Sequence, residues 1–283
     1  MRFSSTPVRA IAAACLLLSA APALAEPSFV EVDGGKLAYE ACGSGPRTIV
    51  LIHDGILHSA AYEDVQPLLC ERFRVVRYDR RGYGASPPTE AKTYNPAKDL
   101  EQLLKALNIE RATLVGSSAG GGVAVDFALA HPEAVDRLVL VGPWVAGFKP
   151  SLAFMTRGLK LQALFRAGDI EGAARDPYIL TKDADGARER VVAWIKANPH
   201  NFGAGNKERF MVDGKARLGE VKAPTLILVG EVDIENVHEQ ALEIEALLPG
   251  ALHEVVPATG HFMYVEQPKA FADRVAAFAS SEP

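Results

Sequence analysis

The sequence predicts an α/β fold, a mostly parallel eight-stranded sheet with helices on both faces, and three observations predict it. Continuous apolar runs recur along the chain (TIVLI, RVVRYD, ATLVGS, RLVLVGP and PTLILVGEVD), as strands buried on both faces require. Helix-like segments alternate with these runs, which is the order that sets parallel strands side by side. In LVGSSAGGGVAVDFALAHP, Gly116-x-Ser118-x-Gly120 stands where a strand gives way to helical spacing, so Ser118 occupies the apex of a strand-to-helix turn.

Taken in order, the chain begins with Arg2 and Arg9, a short apolar stretch from Ala10 to Ala21, and Ala23-Leu24-Ala25, a small-x-small cleavage site. Together these read as a secretory signal peptide over residues 1–25. The stretch is shorter than the roughly 20 residues that span a bilayer, so no stable membrane insertion is expected after cleavage. The expected location is periplasmic or secreted. Removing 25 of 283 residues leaves 258, a size suited to one large domain with an insertion. The whole chain carries 30 basic and 35 acidic side chains. Two arginines leave with the leader, taking the formal net charge from −5 to −7. With no basic cluster, a nucleic-acid partner is excluded.

Asp33-Gly34-Gly35 breaks the loose alternation from Phe29 to Ala41 into a hairpin. Gly43-Ser44-Gly45-Pro46 then turns the chain into TIVLIHDG. Strands follow in residues 74–79, 112–117, 137–143, 224–233 and 252–260. Helices are expected over Ala60 to Leu69, with Ser59 either its cap or a residue that fixes the loop before it, and over Asn95 to Leu107, Ala119 to His131, Val237 to Leu248 and Gln267 to Phe278. Residues 148–219 interrupt the alternation with SLAFMTRGLKLQALFRA, DIEGAARD and ARERVVAWIKA, three short amphipathic helices. They predict a helical cap over the site, inserted into a core formed by residues 26–147 and 220–283.

A serine hydroxyl attacks only when a base takes its proton and a third group orients that base. Ser118 is the expected nucleophile. Asp233 ends the run LVGEVD, and His261 follows the last strand in TGHF, giving the order Ser, Asp, His. Glu231 and Glu235 are the alternative acids. Ala119 supplies one backbone N–H to an oxyanion, and the loop His53-Asp54-Gly55-Ile56 supplies the second, from Gly55 or, failing that, Ile56. Ser117 turns into the packing. His131 contacts carbonyls at a helix end, and His200, His238 and His253 are surface or local structural residues. No spacing suits a metal, and no cofactor is expected.

These motifs identify the chain as a member of the α/β-hydrolase fold superfamily, in the serine branch with a helical cap between the sixth and seventh strands. The resemblance rests on LIHDG, YDRRGYGAS, VGSSAGG, PTLILVGEVD and TGHFMYVEQP, in that order, and covers nearly all of residues 29–279. It implies that Asp79, Arg81, Gly82, Gly84 and Ser86 shape a loop beside the site. Asp54 departs from the pattern, standing where many relatives carry glycine. The resemblance also implies that the second strand runs antiparallel to the fourth, which brings Cys42 near Cys70; a disulfide and two buried thiols are the alternatives. The implied activity is hydrolysis of a small or medium carboxylic ester or lactone through an acyl-enzyme, with a small-molecule ester-like substrate. Carbon–carbon bond hydrolysis of a diketone-type substrate uses the same triad, and a non-catalytic binding protein is the alternative of another class. Trp144, Phe148, Met155, Trp194, Phe202 and Phe262 are the candidate lining of the substrate pocket.

Overall fold

The structure is a computed structural model and describes residues 27–281 except 212. The leader-like segment 1–25, with Cys15, lies outside the described residues. β1 (Ser28–Val32) and β2 (Gly35–Cys42) form the expected hairpin, turning at Gly34 with φ +73°. There follow β3 (Thr48–Ile52), α1 (Gln66–Cys70), β4 (Arg74–Tyr78), α2 (Pro96–Ala106), β5 (Ala112–Ser117), α3 (Ala119–Ala130) and β6 (Val135–Val141). α4 (Leu152–Ala167), α5 (Ile170–Ala174), α6 (Asp185–Ala197) and α7 (Gly214–Arg217) precede β7 (Thr225–Gly230). α8 (Glu235–Leu247), β8 (Leu252–Val256), α9 (Met263–Glu266) and α10 (Pro268–Ser280) close the chain. The eight strands lie in the order β1-β2-β4-β3-β5-β6-β7-β8. β2 is antiparallel to both its neighbours, and the remaining pairs are parallel.

The continuous apolar runs are explained by the two faces they serve. In β3, Val50 and Ile52 join the cluster formed with Leu100, Leu103, Val123 and Phe127 of α2 and α3. Ile49 and Leu51 point the other way, to Leu69, Phe271 and Val275 of α1 and α10. A strand side chain alternates sides with each residue, so a sheet covered on both faces needs no polar positions. Each such side chain stabilises the fold by about 1.5–3 kcal/mol through burial. α2 starts where its sequence signals it: Asn95 accepts a hydrogen bond from Ala97 N at 2.8 Å, and Pro96 fills the first turn.

The segment expected as one helix from Ala60 to Leu69 is two pieces, a 3-10 turn over Ser59–Tyr62 and then α1. Pro67 explains the break, because it has no N–H to continue a helix and is accommodated in a first turn. Ser59 is therefore not a cap. Its N–H donates to Asp79 Oδ1 at 2.8 Å, and its carbonyl accepts from Arg77 at 3.1 Å. Cys42 and Cys70, at the ends of β2 and α1, form a disulfide with Cα atoms 5.6 Å apart.

Candidate active site

Ser118 joins β5 to α3 with φ +50° and ψ −117°, a region that non-glycine residues avoid. The turn is held by Ser118 N donating to Val141 O at 2.9 Å and by the Ser118 carbonyl accepting from Gly121 and Trp144. The flanking glycines are required by distance. A Cβ on Gly116 would lie 2.4 Å from Gly120 O, and one on Gly120 would lie 2.3 Å from Ile52 O. Ser117 is buried and its hydroxyl donates to Tyr264 Oη at 3.2 Å, away from the elbow.

His261 lies 28 residues beyond Asp233 in sequence, and its Nδ1 donates to Asp233 Oδ2 at 2.5 Å. Burial lowers the imidazole pKa, but the charge of Asp233 and this hydrogen bond outweigh it, and the net shift is upward from the ordinary 6.5. Glu231 is engaged elsewhere, accepting from Ala258 N at 2.7 Å, and Glu235 opens α8. The His261–Asp233 pair rests on Gly142, which follows β6 with φ +47°. A Cβ there would lie 2.9 Å from the imidazole and 3.1 Å from Asp233 Oδ2. Ser118 and His261 border one cavity; among the described hydrogen bonds none joins them. Such contacts commonly tighten only when substrate is bound.

The loop after β3 is fixed from several sides. His53 Nε2 accepts from Arg80 N at 2.9 Å, which leaves Nδ1–H to donate to Asp54 O at 2.7 Å. Burial keeps this imidazole neutral by pushing its pKa well down. Asp54 is itself buried; its Oδ1 accepts from Ile56 N at 2.6 Å and Leu57 N at 2.9 Å, and its Oδ2 from Tyr264 Oη at 3.0 Å. Burial holds the Tyr264 phenol well above its usual pKa, so it stays a donor. The Ile56 amide is thus occupied, whereas Gly55 faces Ala119: a Cβ on Gly55 would lie 3.7 Å from Ala119 Cβ. Arg80 backs the loop, donating to Asp54 O at 2.6 Å and pairing with buried Glu208 at 3.0 Å. The motif residues around it act as the resemblance implied: Asp79 holds Ser59 N and Ala85 N, Ser86 bridges Ala38 N to Asp79 O, and Arg81 pairs with Asp99.

Two cavities flank the elbow. The smaller, about 190 Å³, is bordered by Ser118, His261, Gly142, Phe154, Gln240 and Phe262 among others. The larger, about 490 Å³, is bordered by Gly55, Ala119, Tyr83, Phe202, Glu208 and Phe210 among others. Trp144, Ile56, Gly158 and Leu161 border both. Three expected pocket residues lie elsewhere. Phe148 packs on the core cluster, with Lys215 Nζ 4.6 Å from its ring centre. Met155 is 47% exposed, and Trp194 packs on the other cluster with Arg190 over its ring. For Met155 the reason is helical phase: in α4 it is Phe154, Gly158, Leu161 and Phe165 that face the cavities, and Met155 is on another face. That spacing was present in the sequence, as was Gly142 directly after an apolar strand. Nothing in the sequence signalled the Arg80–Glu208 pair.

Of the remaining histidines, His131 sits beside Phe127 and 3.7 Å from Glu101, His200 reaches Gly84 O, and His253 reaches Glu245. Among the described residues no cluster of His, Cys, Asp and Glu is arranged to hold a metal, and no helix is long and apolar enough to cross a membrane.

A serine elbow, an aspartate-held histidine on the last loop and an eight-stranded mostly parallel sheet define a hydrolase of the α/β type. The sequence matches the alpha/beta hydrolase fold family over residues 48–268, and the chain belongs to that family. It is similar to the 2-hydroxy-6-oxononadienedioate/2-hydroxy-6-oxononatrienedioate hydrolase of Paraburkholderia xenovorans (strain LB400). The two are 31% identical over 280 residues, covering 88% of this chain and 94% of that protein. Among solved structures it is similar to an enzyme that degrades N-acyl homoserine lactones, with TM-score 0.72, 26% identity, and coverage of 89% of this chain and 100% of the other. The enol-lactonase of Burkholderia xenovorans LB400 shares the fold, with TM-score 0.76, 23% identity, and coverage of 90% and 100%.

Proposed function

We propose that this hydrolase cleaves a small or medium carboxylic ester or lactone through an acyl-enzyme on Ser118. The observation that carries the reading is that Ser118, on its strained elbow, borders the same cavity as a histidine already held by a buried aspartate. In this scheme Ser118 Oγ attacks the carbonyl carbon while His261 Nε2 takes its proton. The N–H groups of Ala119 and Gly55 receive the oxyanion; Ile56 is engaged by Asp54 and is not needed. His261 then gives the proton to the leaving alcohol oxygen, and water, deprotonated by the same imidazole, releases the acid. Asp233 holds the tautomer in which Nε2 is free to accept.

A second reading, cleavage of a carbon–carbon bond in a diketone-type substrate, is favoured by the named activity of the relative with 31% identity. It shares the serine and histidine, and a panel of acyl esters, lactones and a vinylogous diketone separates the two by turnover. Residues 148–219 would act as the cap and residues 1–25 as an export signal; protein recovered from its native cell then begins at Glu26, and an amino terminus at Met1 rules export by cleavage out. The hydrolytic reading is tested with a fluorescent phosphonate. Native protein and Ser117→Ala should take the label and Ser118→Ala should not; a labelled Ser118→Ala would show that the nucleophile is elsewhere.

A further inference from the structure

The core-facing stripe of α8 is Val237, Gln240, Ala241 and Ile244, the i, i+3, i+4, i+7 spacing of a buried helix face. Three of these belong to the apolar core. Gln240 does not fit the stripe: it is only 4% exposed, and its Oε1 is buried with no hydrogen-bond partner. A buried amide oxygen left unpaired destabilises a fold, and a leucine of similar volume would fill the position without that cost. Packing therefore gives no reason for glutamine here.

Its location gives one. Gln240 borders the smaller cavity together with Ser118 and His261. Of the other polar side chains of that wall, Ser118 and His261 serve the proposed reaction and Arg157 is held at its Nε by both oxygens of Asp176 at 3.0 Å, and none of them, nor the Trp144 ring N–H, is hydrogen-bonded to Gln240 Oε1. The remaining border is apolar, including Ile56, Phe154, Leu161, Ile179 and Phe262. The partner for the amide must then come with the substrate.

We propose that Gln240 is the specificity residue of this cavity and that it recognises a hydroxyl group on a short acyl chain. The inference rests on the ester or lactone reading above. A hydroxyl both donates and accepts, so it satisfies either end of the amide, whereas a carboxylate only accepts and cannot meet Oε1. Size limits the chain: at about 30 Å³ for each water molecule, 190 Å³ is the room of about six waters, which suits a four-carbon acyl chain such as 3-hydroxybutanoyl. The leaving group is assigned to the 490 Å³ cavity, which the oxyanion donors Gly55 and Ala119 border.

The test compares p-nitrophenyl butanoate with p-nitrophenyl 3-hydroxybutanoate on the wild type, on Gln240→Leu and on Gln240→Met, each checked for folding by thermal melting and by phosphonate labelling of Ser118. The wild type should favour the hydroxylated ester by about tenfold or more in kcat/KM, which corresponds to about 1.4 kcal/mol. Both variants should lose that preference, the ratio of the two kcat/KM values falling to about one. A purely structural role moves both esters together, so an unchanged ratio in the variants overturns the assignment, as does a wild type with no preference. Labelling by phosphonate with turnover of neither ester overturns the cavity assignment alone. Absence of both labelling and turnover overturns the hydrolytic reading and this inference with it.

Discussion

Replacing Gly142 by alanine should disable the site without unfolding the protein. The residue sits at φ +47°, where an L side chain costs about 1–2 kcal/mol. Its new Cβ would lie 2.9 Å from the His261 ring. Ordinary carbon contacts begin near 3.5–4.0 Å, so the imidazole must retreat by about 0.6–1 Å. Displacement of a reacting group by about 1 Å costs on the order of 100-fold in rate. The expected result is a kcat about 100-fold down on any ester the wild type turns over, with a melting midpoint lower by about 2–8 °C. Gly186→Ala is the control, because a Cβ there meets nothing within 4 Å and alanine suits α6. Steady-state kinetics well below the melting transition read the effect. Wild-type kcat in a folded Gly142→Ala refutes the reasoning that this backbone supports the His261–Asp233 pair.

Asp54→Ala releases the Ile56 and Leu57 amides and the Tyr264 hydroxyl, and should lower kcat by up to about 100-fold with little change in KM; Asp54→Asn, which keeps the Oδ1 acceptor, should recover most of it. Because His261 must be neutral to accept a proton and its pKa is raised, the acid limb of kcat/KM should fall at a pH above 6.5, and Asp233→Asn should move that limb down as well as lowering turnover. The same shift adds stability that is full below the unfolded pKa of about 6.5 and is lost as pH rises through the folded value, which urea titrations at several pH values should register. The Cys42–Cys70 bridge closes a loop of sequence separation 28, worth about 3.6 kcal/mol in the chain-entropy account. Cys42→Ser with Cys70→Ser should lower the urea midpoint accordingly, and thiol counting on the unreduced native protein should find both cysteines blocked.

What the sequence made legible was set by local chemistry. Strands buried on both faces leave continuous apolar runs, so β3, β5 and β7 were readable without any tertiary information, and Gly116 and Gly120 marked the elbow because a Cβ on the first would meet Gly120 O and a Cβ on the second Ile52 O. Asp233 and His261 stood out as polar residues in the loops that follow strands, three residues past β7 and five past β8. The obscured part depends on helix phase and on long-range partners. Met155 and Phe154 are adjacent and both apolar, yet only Phe154 borders a cavity, and the choice is made by how α4 docks. Pro67 splits a helix that apolar spacing alone suggests is continuous. Glu208 meets Arg80 across a separation of 128 residues, a pairing no local pattern encodes. Asp54 read as a departure from the family pattern; only its contacts with Ile56, Leu57 and Tyr264 show that the carboxylate organises its loop.

The central claim, an acyl-enzyme on Ser118, is tested most directly by mass spectrometry. Protein mixed with a turned-over ester is quenched in acid within the first turnovers and digested, and the peptide containing Ser118 is weighed. That peptide should carry the mass of the acyl group, and fragmentation should place it on Ser118 rather than Ser117. Ser118→Ala should carry no acyl group and show almost no turnover. Sustained turnover in Ser118→Ala, or an acyl group found reproducibly on another residue, would contradict the account.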